Sequence, residues 1–172
     1  MTHDELVINY EVYEDGTEYV GTSSASLPSL TSINTVIAGA GIAGNVGVSV
    51  IGHFDVMTLI LNFRTFTEAA TGLAEPRIHQ LELWSAQQLE DPGKGEIIVQ
   101  SVKHVMRVMP KVLNAGNLAP ASPADASGEY DVRYWGVYVD EKKRYEIDPF
   151  NCVAYIKDKD YLAHVRKALG KY

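Results

Sequence analysis

Little in this sequence points to covalent or metal chemistry. Cys152 is the only cysteine, so no internal disulfide can form, and no cysteine and histidine cluster has zinc-ligand spacing. In the apolar stretch FNCVAYI it reads as a small packed hydrophobe rather than a reactive thiol. No apolar run reaches the roughly 18 residues of a membrane span. The start, MTHDELVINY, is acidic where a signal peptide would be basic. These absences predict a chain without a membrane anchor, kept in a reducing cytosol or in a particle assembled there. Lys and Arg are missing altogether before Arg64, whereas residues 1–63 hold seven acids: Asp4, Glu5, Glu11, Glu14, Asp15, Glu18 and Asp55. The rest of the chain carries fifteen charges of each sign, so the whole net charge of -7 sits in the first third. Gripping nucleic acid takes clustered cations that release counterions from phosphates, and no such stripe exists here. DNA gripping is thereby disfavoured; DNA proximity is not.

What is present is an ordinary globular composition, 172 residues at 46% hydrophobic and 22% charged, which suits a single domain over 1–172. Period-two patterning dominates. ELVINYEVYEDGTEYVG predicts a hairpin around Asp15-Gly16. DVMTLILNFRTF predicts a strand with Met57, Leu59, Leu61 and Phe63 on one face and Thr58, Ile60, Asn62 and Arg64 on the other. RIHQLELWSAQQLED fits a strand better than a helix, and GEIIVQSVKHVMRVMPKV is long and β-branched. Thr67 can cap one or two helical turns before Gly72. Residues 113–128, rich in Ala, Pro and Ser, predict an exposed loop. A hairpin follows, YDVRYWGVYVD and RYEIDPFNCVAYI joined at EKK. The closing KDYLAHVRKALGKY places Tyr161, Leu162, Val165 and Leu169 on one helical face, with Lys167 and Lys171 near its end and Asp158 and Asp160 before its start. The fold class expected is mainly β, an antiparallel β-sandwich or partial barrel with a flanking C-terminal α-helix.

Gly39-Ala40-Gly41-Ile42-Ala43-Gly44 satisfies G-x-G-x-x-G after an apolar run, the fingerprint of a small flavin- or NAD-binding protein. That chemistry needs the third glycine to open a helix whose N-terminus faces the pyrophosphate. NVGVSVIGHFD follows instead, a poor helix and a fair strand, and Asp55 comes too early and Glu68 too late to hold a ribose. A flexible glycine loop fits better. His3, His53, His79, His104 and His164 are scattered singly and read as surface or packed residues. The sequence contains no P-loop, G-x-S-x-G elbow or paired-histidine metal motif, and we expect no catalytic residue, cofactor or metal. Most of the ten tyrosines fall in or near the two hairpins, where a ring can pack while its hydroxyl stays wet.

The order of these features, a Tyr-rich hairpin, LPSLT, the stretch GAGIAGNVGVSVIGHFDVMTLILNFRT and the closing YDVRYWGVYVDEKKRYEIDPFNCVAYIKDKDYLAHVRKALG, resembles the major tail tube protein of contractile phage tails and phage-tail-like bacteriocins. The likeness spans nearly the whole chain and is strongest at 27–66 and 129–170. It departs at TEAATGL, which leaves little room for a long helix, and at the loop 113–128.

The resemblance implies a structural subunit that forms hexameric rings by sheet extension. These stack into a hollow tube inside a contractile sheath, in a virion tail or tailocin particle assembled in the bacterial host cytoplasm. Implied partners are copies of itself, the sheath protein, and the tape measure, baseplate and tail terminator proteins, with DNA passing unbound in a phage. On this reading residues 28–53 form a Gly-rich inter-ring loop, with Leu27, Pro28, Leu30, Gly39, Gly41, Ile42 and Gly44 at the contact. The strands 54–66 and 95–110 put apolar faces on the core and polar faces towards the lumen, with Met57, Leu59, Leu61 and Arg64 as the lumen or core positions. The terminal helix turns Lys159, Arg166 and Lys167 to the sheath. Two functions stay open at this level. A tube subunit predicts rings or tubes without a chromophore, and a dinucleotide-binding protein predicts a coloured or fluorescent monomer or dimer.

Overall fold

In the computed structural model, which describes residues 1–171, the chain runs through β1 (His3–Glu14), β2 (Glu18–Val20), β3 (Ser24–Ser26), β4 (Ser32–Ile37), β5 (Val46–Phe54), β6 (Met57–Phe63), α1 (Glu68–Gly72), β7 (His79–Asp91), β8 (Glu96–Asn114), β9 (Ala126–Val139), β10 (Lys142–Asp148), β11 (Val153–Ile156), β12 (Lys159–Asp160) and α2 (Ala163–Ala168). Ten of these strands form one antiparallel sheet, in the order β12-β11-β10-β9-β8-β7-β1-β2. The sheet branches at β9, whose edge opposite β8 is shared by β6 along 126–132 and by β10 along 135–139. β3 pairs β6. The sheet is not closed into a barrel.

Alternation builds the core. In β6, Met57, Leu59, Leu61 and Phe63 are buried while the residues between them are partly exposed, as the period-two pattern requires. They pack into one cluster with Val12, Leu81, Leu83, Met106, Val108, Tyr130, Trp135, Val137 and Ile147, drawn from β1 and from β7 to β10. Removing a side chain such as Leu59 or Phe63 costs about 3–5 kcal/mol in such an environment. Thr67 caps α1, its Oγ1 accepting from the Ala70 N–H at 3.3 Å, which sets Ala70 and Leu73 against the core. Asp15-Gly16 makes the first turn, both residues at positive φ.

Several expectations need correction. The second hairpin turns at Asp140-Glu141, both left-handed, so Lys142 and Lys143 belong to β10. β8 runs past 110 to Asn114, and Pro110, which has no N–H to donate, sits at a register shift between Pro110 and Val112. The loop expected at 113–128 shrinks to 115–125 and is tied down: the Ala124 N–H donates to the Arg64 carbonyl at 2.7 Å, and the Asn117 N–H to the Ala124 carbonyl at 2.7 Å. Arg64 itself lies just beyond β6 and is exposed.

The terminal helix is only six residues long and buries none of them. Tyr161 precedes it, its N–H donating to the Ala154 carbonyl at 2.9 Å, which draws 159–161 towards β11 and leaves Lys159 on β12. Leu162 is buried, Val165 half-buried and Leu169 exposed. Asp160 accepts from the Leu162 N–H at 3.0 Å, holding the helix entry.

Candidate assembly surfaces

The segment expected as a loop at 28–53 is mostly a two-stranded hairpin. β4 and β5 pair only with each other, from Thr35↔Val48 to Ile37↔Val46 at the far end, and nearly every residue of both is exposed. The segment separates into two parts. Pro28 is buried and Leu30 packs partly on the core, so they anchor the hairpin, whereas Gly39, Gly41, Ile42 and Gly44 form its distant tip. A turn closes there with the Ile42 N–H donating to the Gly39 carbonyl at 3.1 Å, and among the described residues nothing but the chain neighbours lies within 4 Å of where a Cβ would stand on Gly41 or Gly44. Ile33, Val36, Ile37, Val46, Val48, Val50 and Ile51 all present apolar surface to solvent.

The hairpin's base is fixed. Ser32 pairs Phe54, the Asp55 N–H donates to the Thr31 carbonyl at 2.8 Å, and the register slips by a bulge between there and Asn34. Gly52 sits in that bulge at φ +62, where a Cβ would lie 2.6 Å from Leu162 Cγ. Only glycine fits this approach.

A second uncovered region is a three-stranded wing. Residues 3–10 of β1, 85–91 of β7 and 96–101 of β8 continue the main sheet beyond its core. Both lateral edges are open: β2 covers only Val12 to Glu14 of β1, and β9 begins to cover β8 at Val102. Asp140 stops the second edge at Ser101, its carboxylate accepting from the Ser101 N–H at 3.1 Å and its own N–H donating to the Ser101 carbonyl at 2.9 Å. Apolar side chains stand on both faces, Leu6, Val7 and Ile8 on β1 and Ile97, Ile98 and Val99 on β8, between 39% and 62% exposed. The core-side face runs straight onto the wing, so Leu27, Val7, Tyr10, Leu83 and His104 line an apolar cavity of about 160 Å³ at the junction. His104 accepts from the Trp135 indole N–H at 3.3 Å and stacks on it, and burial lowers its pKa to about 4.

At the other end of the strand order, Arg166 does not reach out from the helix. Its guanidinium donates to the Cys152 carbonyl at 2.8 Å and pairs with Asp160 at 2.7 Å. Lys167 is exposed on α2 and Lys159 is exposed on β12. Inside, Glu14 is buried and accepts from His79 Nδ1 at 2.5 Å and Arg77 at 2.9 Å, while His79 Nε2 donates to the Glu75 carbonyl at 2.9 Å. This cluster ties β1 to the start of β7 and faces the core rather than a cleft.

Nothing in this geometry serves dinucleotide binding. Gly44 leads into β5, a strand, so no helix N-terminus faces the glycine turn, and the fingerprint is a hairpin tip. Among the described residues no group of three or more His, Cys, Asp or Glu could hold a metal ion, and no helix is long and apolar enough to cross a membrane.

The fold is similar to that of the sheath/tube terminator of an extracellular contractile injection system (PVC) in its extended state, with a TM-score of 0.56 at 12% identity over 79% of this chain and 97% of that one. The sheath-tube complex of PVC gives a TM-score of 0.44 at 15% identity, covering 76% and 87% of the two chains. The tube terminating cap of the anti-feeding prophage gives 0.46 at 14% identity, covering 79% and 95%. No curated protein sequence matches the chain. The sequence model of the family described as Phage tail tube protein FII matches residues 4–170, nearly the whole chain. The chain belongs to the phage tail tube protein FII family, and is a structural subunit of a tail tube.

Proposed function

We propose that this chain associates as hexameric rings through the free edges of its wing, and that the rings stack through the β4–β5 hairpin into the inner tube of a contractile injection particle. Sheath contraction then drives that tube through the target envelope. The observation that carries the reading is the wing, which leaves two strand edges and two apolar faces uncovered on one chain. Such a surface is an aggregation hazard in a monomer, and ring closure removes it because every edge finds a partner. Stacking is a head-to-tail contact that does not close, so it grows a filament.

In this assembly the role is structural rather than enzymatic. Met57, Leu59 and Leu61 are committed to the core, which leaves Arg64 and the partly exposed face of β6 as lumen positions. Lys167 is the helix cation available to the sheath. Baseplate and tail terminator proteins would meet the end rings, with the tape measure protein inside during assembly. An acidic or neutral wall lets DNA pass without adhering in a phage, and the same tube would serve a genome-free bacteriocin.

Deleting the hairpin tip, 39–44, tests the division of labour. Rings without long tubes by negative-stain electron microscopy are the expected result; tubes of normal length would reject the assignment.

A further inference from the structure

The two ends of the main sheet carry opposite charge. At one end, β1 and the turn into β2 expose Asp4, Glu5, Glu11, Asp15 and Glu18, and no Lys or Arg occurs before residue 64. At the other, residues 142–171 hold eight Lys and Arg against four acids. Those four acids are occupied: Asp148 is buried, Asp160 pairs with Arg166, Glu146 with Lys143, and Asp158 is shared by Lys142 and Arg144. Lys157 and Lys159 are exposed and have no carboxylate within 4 Å among the described residues. Exposed apolar groups accompany each set, Leu6, Val7, Ile8 and Tyr19 at the acidic end, Phe150 and Tyr161 at the basic end.

Resting on the ring assignment above, we infer that where the β1 wing edge of one subunit meets the β8 wing edge of the next copy, the acids of β1 dock against that copy's basic β10–β12 end, and that this complementarity fixes the head-to-tail direction of the ring. That basic end starts at Lys142, just past the Asp140-Glu141 turn that stops the β8 edge. A closed ring of identical subunits joins two different surfaces of each chain. The strand order makes the two sheet ends the natural pair, and here they differ in sign. The same charges oppose the competing symmetric contact, in which two β1 edges would meet acid against acid.

The test uses two full-length variants altered only at exposed positions, one with Asp4, Glu5, Glu11 and Glu18 all changed to Lys, the other with Lys142, Lys157, Lys159 and Lys171 all changed to Glu. The first has two basic ends and the second two acidic ends. At low salt each alone should assemble about tenfold or more slowly than the natural chain by light scattering. Mixed one to one they should recover, because alternating copies restore every opposite-charge contact and an even-numbered ring still closes. Assembly of the natural chain should also slow as salt rises towards about 0.5 M, which guards against variants that merely misfold. Natural rates in either variant alone, no recovery on mixing, or salt-independent natural assembly would each overturn the charge pairing while leaving rings intact. Failure of the natural chain to form rings at any salt would overturn the ring assignment as well.

Discussion

Replacing Gly52 by alanine strains the joint between the stacking hairpin and the body of the subunit. The added methyl would lie 2.6 and 2.7 Å from Leu162 Cγ and Cδ2 and 3.1 Å from Ala154 Cβ. Leu162 and Ala154 are both core residues, so neither can swing into solvent. The backbone at φ +62 costs a residue bearing Cβ about 1–2 kcal/mol. Forcing a methyl into a packed site adds about 1–3 kcal/mol. The sum, about 2–5 kcal/mol, should lower the melting temperature by roughly 5–15 °C for a chain of this size. Circular dichroism melting measures it, with Gly47→Ala as control: a Cβ there meets only the Asn34 side chain at 3.5 Å, ordinary contact. Because the clash is with Leu162, Leu162→Ala should cost markedly less in the Gly52→Ala background than alone. A Gly52→Ala protein melting within a degree of the natural chain, or strictly additive costs in the double variant, would refute the packing argument.

Other outcomes follow from the interior. Glu14→Ala should lose about 3–5 kcal/mol by chemical denaturation, since it leaves buried His79 and the Arg77 guanidinium without their shared carboxylate. His104 gives a pH dependence of definite sign. Below about pH 6.5 the unfolded chain binds a proton there that the folded chain refuses until about pH 4, so stability falls as pH drops through that window, by at most about 3 kcal/mol. His104→Gln keeps an acceptor for Trp135 and should flatten that part of the stability profile. Within the wing, Leu6→Asp with Ile97→Asp should leave the monomer's melting nearly unchanged, both side chains being more than half exposed, yet abolish ring formation by size-exclusion chromatography.

Local signals made much of this fold legible. Asp15-Gly16 and the alternation of Met57 to Phe63 specify a turn and a half-buried strand within a few residues, and both stand as read. The β4–β5 hairpin was harder, because five glycines between 39 and 52 argue for a loop. What overrides them is pairing of Val46 and Val48 with Ile37 and Thr35 across the tip, a partnership that glycine content alone does not announce. The terminal helix is present but shorter than its stripe suggested, for a similar reason: Tyr161 fits the helical pattern, but its N–H is committed to the Ala154 carbonyl. The wing did leave a trace, since Leu6-Val7-Ile8 and Ile97-Ile98-Val99 are consecutive apolar triplets in strands, which calls for cover on both faces. Glu14, Arg77 and His79 meet across more than sixty residues, with no spacing that could have signalled it.

The most direct test of the central claim is negative-stain electron microscopy of the purified full-length chain over a concentration series, with light scattering on the same samples. Rings with six-fold symmetry that stack into tubes as concentration rises are the predicted result. A particle that stays at the 18.9 kDa mass of one chain at every concentration would contradict it.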